Sequence, residues 1–379
     1  MNADPADVVV RADRLTAEKS VFTAGRPVLD EVTAVRALAG HGLLSPEQML
    51  DPRLTVVDES RRCRCLIVRL AEAGWVVKQG TSAETQETLD REAEVYRVLR
   101  GSSFAPYLPR FSAFDDHAGL LVTEFVDGQA PRDAHIADPA RRPITAVGIG
   151  AALARLHTVA DDGGLPAQDA PPILRCGHPT LDSIEFHSPA SLEVVRTVQS
   201  NPALSALLDG VHGQWRADAM GHGDLRGDNI LLRPTGEPVF IDWEMGGPCD
   251  RRWDIAGLLT ERIVWWLTDP DAWVPMEAQA TANAAAVDGL REIREFAHAF
   301  LGSYVVTYAG ELDLAKAGLD DLMRWCGARL VQFAVEQTHQ RSVPLATSRQ
   351  LLQMAANFHT TPGVAARTFF GLAIDDGDR

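Results

Sequence analysis

The sequence is short of positive charge, thiols and aromatic rings, and it has no long apolar run. Lys and Arg number 36 against 52 Asp and Glu, so the formal net charge is −16. That balance excludes the basic footprint of a nucleic-acid binder, although it would tolerate a cationic partner. The five cysteines, at 63, 65, 176, 249 and 326, are odd in number and do not read as a disulfide framework. No stretch approaches the ~18 apolar residues of a membrane span, and no membrane partner is expected. The opening "MNADPADVVV" has no basic segment followed by an apolar one, so it does not read as a secretory signal. Together with the thiols this gives a cytoplasmic protein as the expectation. Cys63 and Cys65 have no second Cys/His cluster at metal-site spacing, and they read as two residues on one face of a strand.

What is present is ordinary globular material. Hydrophobic residues make up 46% and charged residues 23% of 379, enough for two or three domain-sized units. Residues 30–44 carry Val32, Val35, Leu38 and Leu43 near helical spacing, which predicts a helix in an N-terminal extension. Segments 53–59, 65–70, 75–79, 110–116 and 119–125 are short and rich in β-branched residues, with turn residues between them; they predict antiparallel strands. Residues 82–100 interrupt the strands as a helix, with Ser82 at its N-cap and Leu89, Ala93, Tyr96 and Leu99 on its apolar face. Beyond Val126-Asp127-Gly128 the strand signal nearly vanishes. Helices are expected over 144–160, 188–198, 202–215 and repeatedly after Arg251. A Pro-, Gly- and Asp-rich loop is expected over 161–187, and two short strands at 229–234 and 238–243. The expected fold is α+β and bilobal: extension 1–50, strand-rich lobe 51–125 and helical lobe 126–379.

The chemistry gathers in "MGHGDLRGDNILL" (220–232), where His222, Asp224, Asp228 and Asn229 precede an apolar strand. Asp242 closes the next apolar run, "VFID". Far upstream, Lys78 lies in the strand "WVVKQ", and Glu92 lies on the following helix. Phosphoryl transfer needs a carboxylate to orient a hydroxyl, which Asp224 can supply. It also needs hard oxygen ligands for Mg²⁺, which Asn229 and Asp242 can supply. A lysine held by a carboxylate, Lys78 by Glu92, can meet phosphate oxygens. Asp, Asn and Gly are also common turn residues, and the cluster holds ligand types for a two-metal phosphoesterase. Such sites usually recruit several His, however, and only His222 lies in the cluster; the Lys78–Glu92 pair would also go unexplained. A pseudokinase, a nucleotide-gated binding protein, is the non-enzyme alternative.

The motifs "HGDLRGDNILL" and "VFIDWE", with "VVKQ", "DREAEVYRVL" and "LARLH", resemble the aminoglycoside phosphotransferase and choline kinase family of the protein-kinase-like superfamily. The resemblance runs from about residue 50 to about residue 260. It implies an ATP- and Mg²⁺-dependent kinase acting on an acceptor hydroxyl, with Asp224 catalytic and Asn229 and Asp242 on the metal. It also implies Lys78 and Glu92 at the phosphates, and Glu124 and Val126 as the connector whose backbone meets adenine. His222 would brace the catalytic loop, and Asp254 would be structural. One departure stands out: "DESRRCRC" (58–65) has no Gly where kinases carry a Gly-rich loop. Phosphate cover would then fall to Ser60, Arg61 or Arg62. The two ends resemble kinases of class V lanthipeptide and thioamitide pathways, which implies Ser or Thr of a precursor peptide as acceptor and a partner lyase. The alternative acceptor is a small cationic molecule, an aminoglycoside or another amino-alcohol or sugar.

Overall fold

A computed structural model describes residues 28–71, 73–160, 163–179, 188–268, 279–308, 316–339, 341–343 and 345–372. Most of the N-terminal extension (1–27) and part of the 161–187 loop lie outside the described residues. The chain divides into two compact units. The first runs to Gln129 and takes in 233–235 and 239–246; the second holds 130–232, 236–238 and the chain from Gly247 onward.

The first unit is built on a five-stranded antiparallel sheet. Its strands are β1 (Thr55–Asp58), β2 (Arg64–Leu70), β3 (Ala73–Gln79), β4 (Phe111–Asp115) and β5 (Leu120–Glu124), in the order β1-β2-β3-β5-β4. Strand alternation divides their side chains between two faces. Leu66, Val68 and Leu70 of β2, with Trp75 and Val77 of β3, join a core formed with Leu29, Ala34, Leu38 and Leu44. The extension therefore packs on one face of the sheet. Fully burying a Leu is worth about 1.5–3 kcal/mol, and polar bonds fix the register of the contact. The Leu29 amide donates to Gln79 Oε1 at 2.7 Å, and the Leu29 carbonyl accepts from Arg64 Nε and Nη2 at 3.0 and 2.9 Å.

Helix α1 covers Glu31–Gly40, shorter than the 30–44 span expected from periodicity. Asp30 caps it by accepting from the Thr33 amide, and the chain leaves the helix at His41. Its buried stripe is Ala34 and Leu38, while Val32 is 56% exposed. Val32 misled, because Ala34 and Leu38, four apart, share the face that meets the sheet, and Val35 packs beside them. Helix α2 (Ala83–Leu99) carries the expected Ser82 cap, in a capping box with Thr85, and buries Leu89, Glu92, Ala93, Val95, Tyr96 and Leu99.

The second unit is mostly helical. Its longer helices are α3 (Arg142–His157), α4 (Pro189–Ser200), α5 (Pro202–Gly213), α6 (Arg251–Thr268), α7 (Gln279–Thr307), α8 (Lys316–Glu336) and α9 (Ala346–Thr360). A short antiparallel pair, β6 (Ala219–Gly221) with β7 (Gly247–Cys249), was not legible in the sequence. Three-residue strands fall below the length at which alternation shows. Trp215, Trp253 and Trp325 pack as a cluster of rings with centroids 6.0–6.4 Å apart. Among the described residues no helix is long and apolar enough to cross a membrane.

Candidate active site

In the first unit the key group is Lys78. It projects from the face of β3 opposite Val77, directly across from Cys65 on β2. Its ammonium lies 3.0 Å from both oxygens of Glu92, on α2, and 2.9 Å from Asp242 Oδ1. Glu92 is nearly fully buried, whereas the Asp242 side chain is 45% exposed. Burial alone would lower the Lys78 pKa, but the Glu92 and Asp242 carboxylates outweigh it and hold the ammonium well above the usual lysine range. Burial raises the Glu92 pKa against the pull of Lys78, and Asp242 adds to the rise. Lys78 is therefore the cation that keeps two carboxylates in one place. Burial also raises the Cys63 and Cys65 thiols, Cys65 to about 11, so neither is a thiolate at neutral pH.

Asp242 has φ 64°, a left-handed backbone that non-glycine residues seldom adopt. Such strain is kept where the surroundings impose it, often at working sites. The segment that carries Asp242 is pinned nearby. The Phe104 ring meets Phe240 and Trp243 edge-on, at 5.4 and 5.6 Å, and Trp243 Nε1 donates to the Phe240 carbonyl.

In the second unit, residues 222–229 are held mainly through their backbone. Asp254 of α6, fully buried, accepts from the His222 amide at 2.7 Å and the Gly223 amide at 3.0 Å. Burial pushes the Asp254 pKa up, but His157, His222 and the His222 amide bond bring it below the usual carboxylate value. Gly223 has φ 78°, so the turn ahead of Asp224 needs a residue that tolerates the left-handed region. Glu261, also on α6, receives the Gly227 amide on both oxygens at 2.8 and 2.7 Å. Arg329 of α8 donates to the Leu225 carbonyl at 3.1 Å.

Asp224 Oδ2 lies 3.1 Å from Arg226 Nη2, and Arg226 also reaches Glu336 at 3.4 Å. Asn229 sits in a single 3₁₀ turn, Gly227–Asn229, and the strand begins at Ile230 instead of at Asn229 itself. Within it the Asn229 side-chain amide donates to the Asp224 carbonyl at 2.8 Å. With Nδ2 so committed, the amide offers Oδ1, a hard oxygen donor. Asp242 offers carboxylate oxygens of the same kind.

The remaining sequence-derived residues are placed as follows. The Ser60 amide donates to Asp58 Oδ1 at 2.9 Å, and Ser60 Oγ accepts from the Cys65 amide at 3.0 Å. Ser60 thus shapes the β1–β2 turn, and its hydroxyl proton is what it can still offer. Arg62 lies 3.8 Å from Glu84 and 3.5 Å from Glu244. Glu124 ends β5, accepts from the Arg110 amide at 3.0 Å and pairs with Arg233 at 3.3 Å. Val126 follows, buried. Sequence reasoning missed the contacts of Arg226, Glu261, Arg329 and Glu336. The last three lie on helices far along the chain, and no local pattern ties them to residues 222–229.

The family profile described as "Phosphotransferase enzyme family" (APH) matches residues 64–296. A protein of Deinococcus radiodurans, itself uncharacterised, is 28% identical over 348 residues, 85% of this chain and 87% of that one. Two solved structures share the fold. An ethanolamine kinase from Plasmodium vivax has a TM-score of 0.52 at 14% identity, over 94% of this chain and 95% of its own. A choline kinase from Cryptosporidium parvum has a TM-score of 0.51 at 11% identity, over 86% and 94%. The chain belongs to the phosphotransferase enzyme family. The family is one of enzymes that transfer phosphoryl groups.

Proposed function

We propose that the protein is an ATP- and Mg²⁺-dependent O-phosphotransferase that uses Asp224 to position an acceptor hydroxyl. The observation that carries this reading is the contact of Lys78 with both Glu92 and Asp242. A nearly buried ammonium kept protonated by two carboxylates is the kind of group that meets nucleotide phosphates. Glu92 sets its position, and Ser60 adds a hydroxyl at the β1–β2 turn. Glu124 and Val126, at the end of β5, supply backbone groups for the adenine edge.

Asn229 and Asp242 are the proposed Mg²⁺ donors. Bound there, the ion would neutralise charge on the phosphate oxygens during transfer. Among the described residues no three His, Cys, Asp or Glu side chains form a ready cage. That suits Mg²⁺, which is commonly held by one or two protein oxygens together with phosphates. Asp224 would accept the hydroxyl proton as the acceptor oxygen bonds to the γ-phosphorus of ATP and the bond to the bridging oxygen breaks, releasing ADP. Arg226, 3.1 Å from that carboxylate, keeps it oriented when no acceptor is bound.

For the acceptor, the carboxylates of Asp224, Asp228 and Glu336 around the single Arg226 favour a small cationic alcohol, an amino-alcohol or amino-sugar. The peptide alternative, with its partner lyase, rests on the resemblance of the chain ends alone. Mass spectrometry of ATP reactions with an amino-alcohol and aminoglycoside panel, beside Ser/Thr precursor peptides, decides between them. Phosphorylation of panel members is the expected result, and phosphorylation of peptide alone would reverse the choice. No turnover of nucleotide with any acceptor would favour a nucleotide-gated binding protein.

A further inference from the structure

Helix α6 presents two carboxylates to residues 222–229. Asp254 and Glu261 are seven residues apart, close to two helical turns, and so lie on one face. Asp254 takes the amides that precede Asp224. Glu261 takes the Gly227 amide, at the first residue of the turn that ends in Asn229. Glu261 is only 4% exposed, so its carboxyl is committed inside the protein.

The packing at Gly227 is an independent observation. A Cβ built there would stand 2.8 Å from Trp265 Cζ2 and 2.9 Å from Glu261 Oε2. Only glycine lets the backbone come this close. Trp265 is itself braced, with the Arg262 guanidinium 4.3 Å from its ring centroid. The Asn229 amide then donates back to the Arg226 carbonyl at 3.0 Å, closing the turn.

We propose that Glu261 is a positioning residue for the metal site: through the Gly227 amide it sets the turn that aims Asn229 at the cation. Asp254 and Glu261 thus divide the segment, the first fixing the Asp224 end and the second the Asn229 end. The inference rests on the reading of Asn229 as a metal donor. Glu261 touches neither metal nor substrate and acts only through the backbone. Groups that orient metal ligands in this indirect way typically contribute ~10–100-fold in metal affinity.

The test compares the full chain with Glu261→Gln and Asn229→Ala variants. The glutamine keeps the shape of Glu261 but offers one acceptor oxygen in place of two. Two quantities are read: hydrogen exchange of backbone amides in metal-free protein, and Mn²⁺ affinity of ADP-saturated protein by electron paramagnetic resonance. In Glu261→Gln, Gly227 should lose protection while His222 and Gly223, held by Asp254, keep theirs. Mn²⁺ binding should weaken ~10–100-fold, with ADP affinity in chelator unchanged. Unchanged Gly227 protection, or unchanged Mn²⁺ affinity, overturns the inference. Equal loss of protection at 222, 223 and 227 also overturns it, because Glu261 would then be a general brace. Asn229→Ala separates this failure from failure of the underlying reading. If that variant binds Mn²⁺ as wild type does, Asn229 is not a ligand and both ideas fall. If it binds Mn²⁺ weakly while Glu261→Gln does not, only the role of Glu261 falls.

Discussion

The two units hold their working residues in opposite ways. In the first, side chain meets side chain: Lys78, Glu92 and Asp242 form an ionic group whose geometry depends on charge. In the second, side chain meets backbone: Asp254, Glu261 and Arg329 bind the amides and a carbonyl of residues 222–227 and leave Asp224 and Asn229 to project from a fixed loop. An ionic group can be rearranged by an arriving charge such as a phosphate. A loop tied by its own amides cannot follow in the same way. The difference suits the proposed roles, Lys78 toward nucleotide phosphates and Asp224 toward an acceptor hydroxyl.

The largest expected effect lies at the preformed end. Asp224→Asn removes the charge proposed to orient the hydroxyl and accept its proton, and turnover should fall ~10²–10⁴-fold. The backbone bonds of the loop do not involve that carboxylate, so the variant should unfold at the wild-type temperature, which calorimetry checks. Next comes the ionic end. Lys78→Ala leaves Glu92, whose side chain is 3% exposed, without its cation. Removing one partner of a buried pair costs about 3–5 kcal/mol, readable by denaturant unfolding. Replacing both, as Lys78→Met with Glu92→Leu, should restore much of that stability and none of the activity. Recovered activity would show that the pair serves structure alone.

A smaller effect is expected with pH. Burial raises the Glu261 pKa to about 7, opposed by Arg262, the Gly227 amide and Arg329 and assisted by Asp228. The unfolded chain releases this proton first, so stability falls as pH rises from about 4.5 to about 7 and is level above that. A shift of this size corresponds to stability on the order of 3 kcal/mol. Denaturation midpoints at pH 5 and pH 8 should differ more for wild type than for Glu261→Gln; equal differences would show that the carboxyl titrates normally. The smallest effect is at the Ser82 cap of α2, where Ser82→Ala should cost about 1 kcal/mol. Because α2 carries Glu92, that variant should also loosen the ionic group without touching residues 222–229.

Much of the first unit was legible from residue pattern. The five strands and α2 were readable because alternation and helical period survive in segments of four to seventeen residues. The Lys78–Glu92 contact followed from placing a lysine on a strand and a glutamate on the next helix. Lys78–Asp242 did not, since 164 residues separate the pair and no periodicity links them. The membership of residues 239–246 in the first unit was hidden for the same reason, and so was the packing of α1 on the sheet. Glu261 stayed invisible because a glutamate inside an apolar helix carries no mark of the amide it binds.

Nucleotide binding by Asp224→Asn and Asp242→Asn, measured by calorimetric titration of Mg²⁺–ATP in parallel with turnover, tests the proposed division of labour most directly. Asp224→Asn should bind Mg²⁺–ATP as wild type does and fail to turn it over. Asp242→Asn should bind it more weakly, because a proposed Mg²⁺ donor and a partner of Lys78 are lost together. Equal loss of binding in the two variants, or wild-type turnover in either, would contradict it.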